Sequence, residues 1–311
     1  MRRIGIELGI RAPLSAVEKA AIIADRQMLD YYFIPETHSD FMGVNAFEAL
    51  TRIIPKIEHV ILGTGIVNVF SRTKNNLLQN ASKVYNDTQK KFVLGLGTSA
   101  PVIIENMYKM RFEKPLLRIK EYTKYIKSRY DGPIYWSAVG DKMTMLSAEC
   151  TDGIIFFLKP ESEVKRCITI LRNKLRSAGK NYDTFEIISI LPLCINDSEK
   201  KGRNSLRMTI ANYVGANEFY SKPLERAGFV KEVKIIRKNF LTYGLASAAA
   251  KVTDKMIEAL GVCGDPAKCV TGIKEFSEST GLKTVVAGFD LPRQEYSKEF
   301  LKNIERFSSG F

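Results

Sequence analysis

Histidine is scarce in this chain and cysteine is unorganised. Two histidines and five cysteines occur in 311 residues, and the cysteines (Cys150, Cys167, Cys194, Cys263 and Cys269) are scattered over the second half without a CxxC pair. That pattern excludes a disulfide framework and an ordinary zinc site. Cys263 and Cys269 are near enough in sequence to pair, and free thiols are the preferred reading. No apolar run approaches the roughly 20 residues that cross a bilayer, so no membrane partner is expected. Arg2 and Arg3 precede only a short, glycine-broken apolar run that carries Glu7. This is a poor secretory signal, and a cytoplasmic protein is the expectation.

Negative charge is also in deficit, with 47 Lys and Arg against 34 Asp and Glu, a formal net charge of +13. Such a field favours anionic partners without choosing among them. The basic residues lie in amphipathic stretches such as "RIKEYTKYIKSRY" and "KEVKIIRKNF" rather than in a tail. Neither a basic groove with interleaved aromatics nor a recognisable nucleic-acid module is visible. Solvated helix faces are the preferred reading, and no nucleic-acid partner is expected.

What is present is an alternation of short apolar runs with longer amphipathic ones, the pattern of parallel strands covered by helices. Strands are predicted at 3–8, 31–35, 59–67, 91–97, 133–139, 152–157, 185–195 and 283–289. Helices are predicted at 15–29, 45–57 with Asn45 as cap, 75–89, 115–129, 141–150, 161–178 and 295–307. Eight strand–helix units make an α/β fold of the (β/α)8 TIM-barrel type. About ninety residues, roughly 196–282, read as several helices, too many for one crossover. They are taken as a helical insertion between the seventh and eighth strands of a single domain spanning 1–311.

Functional groups of such a barrel project from the C-terminal ends of its strands. Those ends carry Glu7, then Glu36 and His38, Gly65 to Asn68, Gly97 to Ser99, Ser137 to Gly140, and Lys159. Glu7 places a carboxyl at the barrel mouth, where desolvation raises its pKa and keeps a proton available; a carboxylate bonded to backbone or arginine is the structural alternative. "GLGTSAP" offers amides and two hydroxyls at a strand-to-helix turn, which suits a phosphate or tight strand–helix packing. "LGTGIVNVFSR" ends an apolar run in glycines and polar groups, where glycine lets backbone approach a flat ring, and an ordinary strand-end bulge serves equally well.

Taken in order, "GIEL", "LGTGIVNVFSR", "FVLGLGTS", "PIYWSAVGDKMTMLSAECTDGII" and "CGDPAKCVTGIKEFSESTGLKTVVAG" resemble the bacterial luciferase-like superfamily of flavin and deazaflavin barrels. Within it they are most similar to the archaeal coenzyme F420-dependent methylenetetrahydromethanopterin reductases. The resemblance implies a cis peptide at Gly65–Ile66 against which the cofactor ring leans. It further implies cofactor contacts from Glu36, His38, Gly65, Ile66, Asn68, Gly97, Thr98, Ser99, Val139 and Gly140, with Glu7 as the group that protonates or polarises the reacting nitrogen. It implies coenzyme F420, with FMN as the alternative, an acidic pterin as substrate, no metal, and a homodimer or larger homo-oligomer. The basic balance suits those acidic molecules.

Three departures from the family pattern stand out. Asp141 replaces a proline at the phosphate turn. The loop after the third strand keeps Asn68 and Arg72 but loses two prolines, so greater flexibility is expected. A hairpin before the fifth strand is missing, so that side of the pocket is expected to be more open. An FMN-dependent monooxygenase and a non-catalytic flavin-binding relative are the alternative functions.

Overall fold

Runs such as "RIGIEL", "YYFI" and "GIIFF" are apolar on both faces, which fits strands covered inside and out. The computed structural model describes residues 2–36 and 44–311. Its strands are β1 (Arg3–Leu8), β2 (Tyr31–Ile34), β3 (Ile61–Thr64), β4 (Val67–Asn68), β5 (Phe92–Gly97), β6 (Ile134–Ser137), β7 (Gly153–Phe157), β8 (Glu186–Ile195), β9 (Val262–Gly264) and β10 (Thr284–Phe289). All pairings are parallel, in the order β10-β1-β2-β3-β5-β6-β7-β8, and β10 pairs back onto β8. The result is a closed eight-stranded TIM barrel.

Alternation along each strand separates two cores. Tyr31, Phe33, Val93, Tyr135, Ile155, Ile188, Ile190 and Val286 fill the barrel. Tyr32, Ile34, Leu94, Trp136 and Ile154 point outward into the layer between barrel and helices. Fully burying such a side chain contributes roughly 1.5–3 kcal/mol, so the register that keeps both sets covered is strongly preferred. Helix entry follows local chemistry. The predicted cap Asn45 accepts from the amides of Phe47 and Glu48 at 3.1 and 3.3 Å, and Thr73 and Asp265 cap the helices Lys74–Asp87 and Pro266–Thr280.

The third strand departs from its prediction as one run over 59–67. The Thr64 hydroxyl donates to the Gly95 carbonyl (2.8 Å) and accepts from the Gly95 amide (2.9 Å), taking the place of backbone ladder bonds. The peptide Gly65–Ile66 is cis. Beyond it the chain resumes as β4, paired only with β5. Gly95 is required there, because a Cβ would lie 1.9 Å from the Thr64 carbonyl oxygen.

The stretch between β8 and β10 also differs in detail. The predicted helix at 201–220 is Glu199–Ala216 followed by a 3-10 turn at Glu218–Tyr220, where Asn217 accepts from the Phe219 amide. The predicted helix at 247–261 is two, Leu245–Ala249 and Asp254–Leu260, the second capped by Thr253. Helices at Pro101–Asn106 and Ser221–Arg226 and the strand β9, which extends the sheet beside β8, were not expected. Each is too short to show a period. The five cysteines are free.

At the opposite face from the strand C-termini, Asp25 ends the first helix and accepts from the amides of Glu58, His59 and Val60 at 3.1, 2.6 and 2.9 Å. Burial opposes its ionisation, but the three backbone donors outweigh that and hold its pKa below the usual carboxylate range. Asp25→Asn is expected to cost about 1.5–3 kcal/mol near neutral pH. A depressed pKa supplies stability that is present above the unfolded value and lost as pH falls through the folded one. Urea unfolding of both proteins should therefore show the gap closing in acid; a gap that persists there would assign the effect to packing.

Candidate active site

The strand C-termini open into a cleft of about 1350 Å³. Glu7, Glu36, Gly65, Ile66, Gly97, Thr98, Ser99, Val139 and Gly140 line it, joined by Asn212, Tyr213, Phe219, Tyr220 and Arg226 from the segment between β8 and β10. Of the other two expected cofactor contacts, His38 lies outside the described residues. Asn68 is buried away from the cleft, and its Oδ1 accepts from the amides of Phe70 and Ser71 at 2.9 and 2.8 Å. It serves its own turn, as asparagine commonly does. Lys159 is buried too; its Nζ donates to the Val139 carbonyl at 2.8 Å, bracing the turn before Gly140.

Glu7 sits at the inner end of the cleft, 7% exposed. Its Oε2 has no hydrogen-bond partner among the described residues. Burial, reinforced by the nearby Asp290 carboxylate, pushes its pKa well above the carboxylate range and so favours the protonated form. This geometry accounts for a glycine at 65: a Cβ there would come within 2.1 Å of Glu7 Oε2. Gly97 is constrained from the other side of the same bulge, since its Cβ would stand 2.5 Å from Ile66 Cδ1.

Asp290 and Arg11 were missed in the sequence. Asp290 follows the last residue of β10, so the strand-end rule that selects Glu7 selects it equally. Arg11 Nη2 lies 3.4 Å from Asp290 Oδ1. Tyr213, from mid-helix, has no local signal; its neighbours are fixed only by the fold.

At the far side of the cleft, Ser99 takes left-handed backbone (φ 60°) just after Gly97 and Thr98, a turn of the kind that gathers amides into an anion-binding concavity. Next to it the helix Asp141–Cys150 begins at Gly140 without a side-chain cap. Its first-turn amides therefore keep their donors for an anion. The substituted Asp141 does not stand there as an unpaired charge. Its carboxylate is bonded to Arg166 and reaches Arg226 at 3.3 Å, and Glu163 accepts from both arginines. The Arg166 hydrogen bond, against the opposing effect of burial, holds Asp141 below its usual pKa.

The loop after β4, expected to be looser for want of prolines, is held by other bonds. Arg118 Nε donates to the Val69 carbonyl (2.8 Å), Tyr122 donates to the Arg72 carbonyl (3.0 Å), and Arg72 is ion-paired with the buried Glu36. On the side where the hairpin is missing, Phe112 is stacked on Phe70 at 5.2 Å and meets Phe219, which lines the cleft, at 6.3 Å. Nor does the positive excess collect in the cleft. Lys142, Lys222, Arg226, Lys234 and Arg237 are matched there by Glu36, Asp141, Glu218, Glu225 and Asp290, so the excess is carried on other surfaces.

The chain is 26% identical over 315 residues to the 5,10-methylenetetrahydromethanopterin reductase of Archaeoglobus fulgidus, covering 92% of this chain and 93% of that protein. Its fold superposes on the coenzyme F420-dependent tetrahydromethanopterin reductase of Methanopyrus kandleri with a TM-score of 0.81 at 19% identity, covering 99% and 98% of the two chains. An F420-dependent secondary alcohol dehydrogenase bound to an F420-acetone adduct gives 0.77 at 15% identity, covering 100% and 98%. Residues 3–284 match the luciferase-like monooxygenase family as a whole. A closed parallel barrel carrying its cleft at the strand C-termini, together with that near end-to-end match, places this chain in the luciferase-like monooxygenase family.

Proposed function

We propose that this protein is a coenzyme F420-dependent oxidoreductase that reduces a methylene-tetrahydropterin to its methyl form. The observation that carries the reading is the buried Glu7 carboxyl, its Oε2 without a hydrogen-bond partner among the described residues and lying beside Gly65 at the cleft, in a chain whose similar proteins include F420-dependent pterin reductases. The residues fit a flat ring and a phosphate. Glycines 65 and 97 leave backbone where a Cβ would intrude, and the Ser99 turn and the uncapped helix at Asp141 supply amides.

The deazaflavin, when bound, supplies the hydride chemistry. Ile66 and the backbone at Gly65 would support its ring, and Thr98, Ser99, Val139 and Gly140 would hold its phosphate end. Glu36 would act from the rim, kept in place by Arg72. Glu7 would hold its proton where a substrate nitrogen can take it as the bond to the one-carbon unit opens. Phe112 and Phe219 would limit water above the reacting centre. Two substrates stacked in one cleft need orientation and a proton, without a metal or a nucleophile from the protein.

An acidic pterin as substrate and a homodimer or larger assembly belong to the same reading. FMN-dependent oxygenation is the second reading, favoured by the family's name. Fluorescence titration of the purified protein with F420 and with FMN separates them. Tight binding of F420 and weak binding of FMN is expected, and the reverse order would replace the reductase with a monooxygenase. Binding of neither would make the glycines of the bulge purely structural.

A further inference from the structure

Two acidic side chains, from opposite ends of the sequence, meet at the floor of the cleft. Glu7 on β1 is in register with Gly288 on β10. Asp290 lies two residues beyond Gly288 and therefore shares the inward face, one layer nearer the mouth. Both line the cleft, and Asp290 packs against Gly9: a Cβ there would stand 2.6 Å from Asp290 Oδ1, so glycine at 9 is what admits the Asp290 side chain. The strand end is pinned by Tyr296, which donates to the Phe289 carbonyl at 2.6 Å and accepts from the Leu291 amide at 3.1 Å, and by Thr209, which donates to the Asp290 carbonyl at 2.9 Å.

The two carboxyls have unequal neighbours. Burial raises the pKa of Asp290, and Arg11, which reaches it at 3.4 Å, together with the Tyr213 hydroxyl works against that burial in favour of the ionised form. Among the described residues no cation pairs with Glu7. The other ionisable groups around the pair are the hydroxyls of Tyr32, Tyr220 and Tyr296, whose own ionisation is opposed by burial. When two carboxyls share one site, the proton settles on the one without the cation.

We propose that Asp290, anchored by Arg11, is the positioning residue of this site: its charge keeps the single shared proton on Glu7, facing the cleft. In turnover Glu7 gives that proton to the substrate nitrogen and regains one from water after product leaves, while Asp290 stays ionised. Only the use of the proton rests on the reductase reading. The pair itself rests on this chain's own residues, whatever the cofactor or substrate.

The test is therefore made first without cofactor or substrate, by pH-difference infrared spectroscopy of the full-length protein. A protonated-carboxyl band should be present at neutral pH in the wild type and absent in Glu7→Gln. In Asp290→Asn the same band should titrate lower, by on the order of one pH unit or more. Arg11→Met removes the cation and should add a second protonated carboxyl near neutrality, which keeps the proposal testable if Asp290→Asn fails to fold. An unchanged Glu7 titration in Asp290→Asn, an unchanged band count in Arg11→Met, or no Glu7 band in the wild type would overturn it. With F420 and a methylene-tetrahydropterin, Asp290→Asn should also move the alkaline loss of kcat/KM to lower pH, which a purely structural role would not do. Infrared shifts without turnover in the wild type would uphold the pair and refute the reductase.

Discussion

Glu7→Gln is expected to lower turnover by about 100-fold or more, the usual contribution of a placed general acid, while leaving cofactor affinity nearly unchanged. That factor corresponds to about 2.7 kcal/mol of lost transition-state stabilisation. Glutamine keeps the shape of the side chain and its place beside Gly65, so what is removed is the transferable proton. A companion effect on stability has a definite sign. Burial and Asp290 raise the pKa of Glu7 in the folded state. Its contribution is therefore fully present below the unfolded carboxyl value and is lost as pH rises through the folded one. Near neutrality the variant should be the more stable protein, and the difference should vanish in acid. Undiminished turnover would remove Glu7 from the chemistry; lower stability near neutrality would show that its environment favours the charged form after all.

Gly65→Ala is the second substitution with a large expected effect, and its cause is local. The added Cβ would lie 2.1 Å from Glu7 Oε2 and 3.1 Å from the Phe33 Cβ. Phe33 is fully buried and cannot retreat, and the Glu7 carboxyl would have to be displaced from its place at the cleft. Overpacking of this kind costs typically 1–3 kcal/mol, and about 2 kcal/mol is expected in urea unfolding. Because the nearest obstacle is a side chain, the cost should fall sharply when Glu7→Ala is combined with it. A double-mutant cycle should show favourable coupling of about 1 kcal/mol or more. Additive costs would instead place the clash against Phe33, and the glycine would then serve the barrel wall rather than the carboxyl.

The two results bear on each other. If both hold, the bulge between β3 and β4 exists at this point of the chain for two reasons, making room for a protonated acid and presenting backbone to a flat ligand. A structural strand-end bulge would show the stability cost of Gly65→Ala without any loss of turnover in Glu7→Gln.

Much of the architecture could be read from local chemistry. The eight apolar runs, the amphipathic stretches between them and the Asn45 cap depend on neighbours within a few residues, and a single sequence displays those. The strand-end rule brought Glu7, Glu36, Gly65, Ile66, Gly97 to Ser99 and Gly140 to one cleft for the same reason, since a parallel barrel turns position along a strand into position in space. It failed at Asn68, whose side chain was free to satisfy its own turn instead of the cleft. It was not applied to Asp290, although that residue directly follows β10 as Glu7 nearly ends β1.

The sequence by itself determined the barrel, the face on which its cleft lies and the family to which it belongs, because periodicity, capping and motif order are properties of short segments. Tertiary structure alone decided the surroundings of those polar groups. The raised pKa of Glu7 depends on burial and on a carboxylate near the other end of the chain, with no cation paired to it among the described residues. Asp141 is neutralised by arginines from two separate helices, and Phe219 at the cleft is backed by Phe112 and Phe70. Charge state and closure are set by what lies within a few ångströms, and only the folded chain brings those distant residues together.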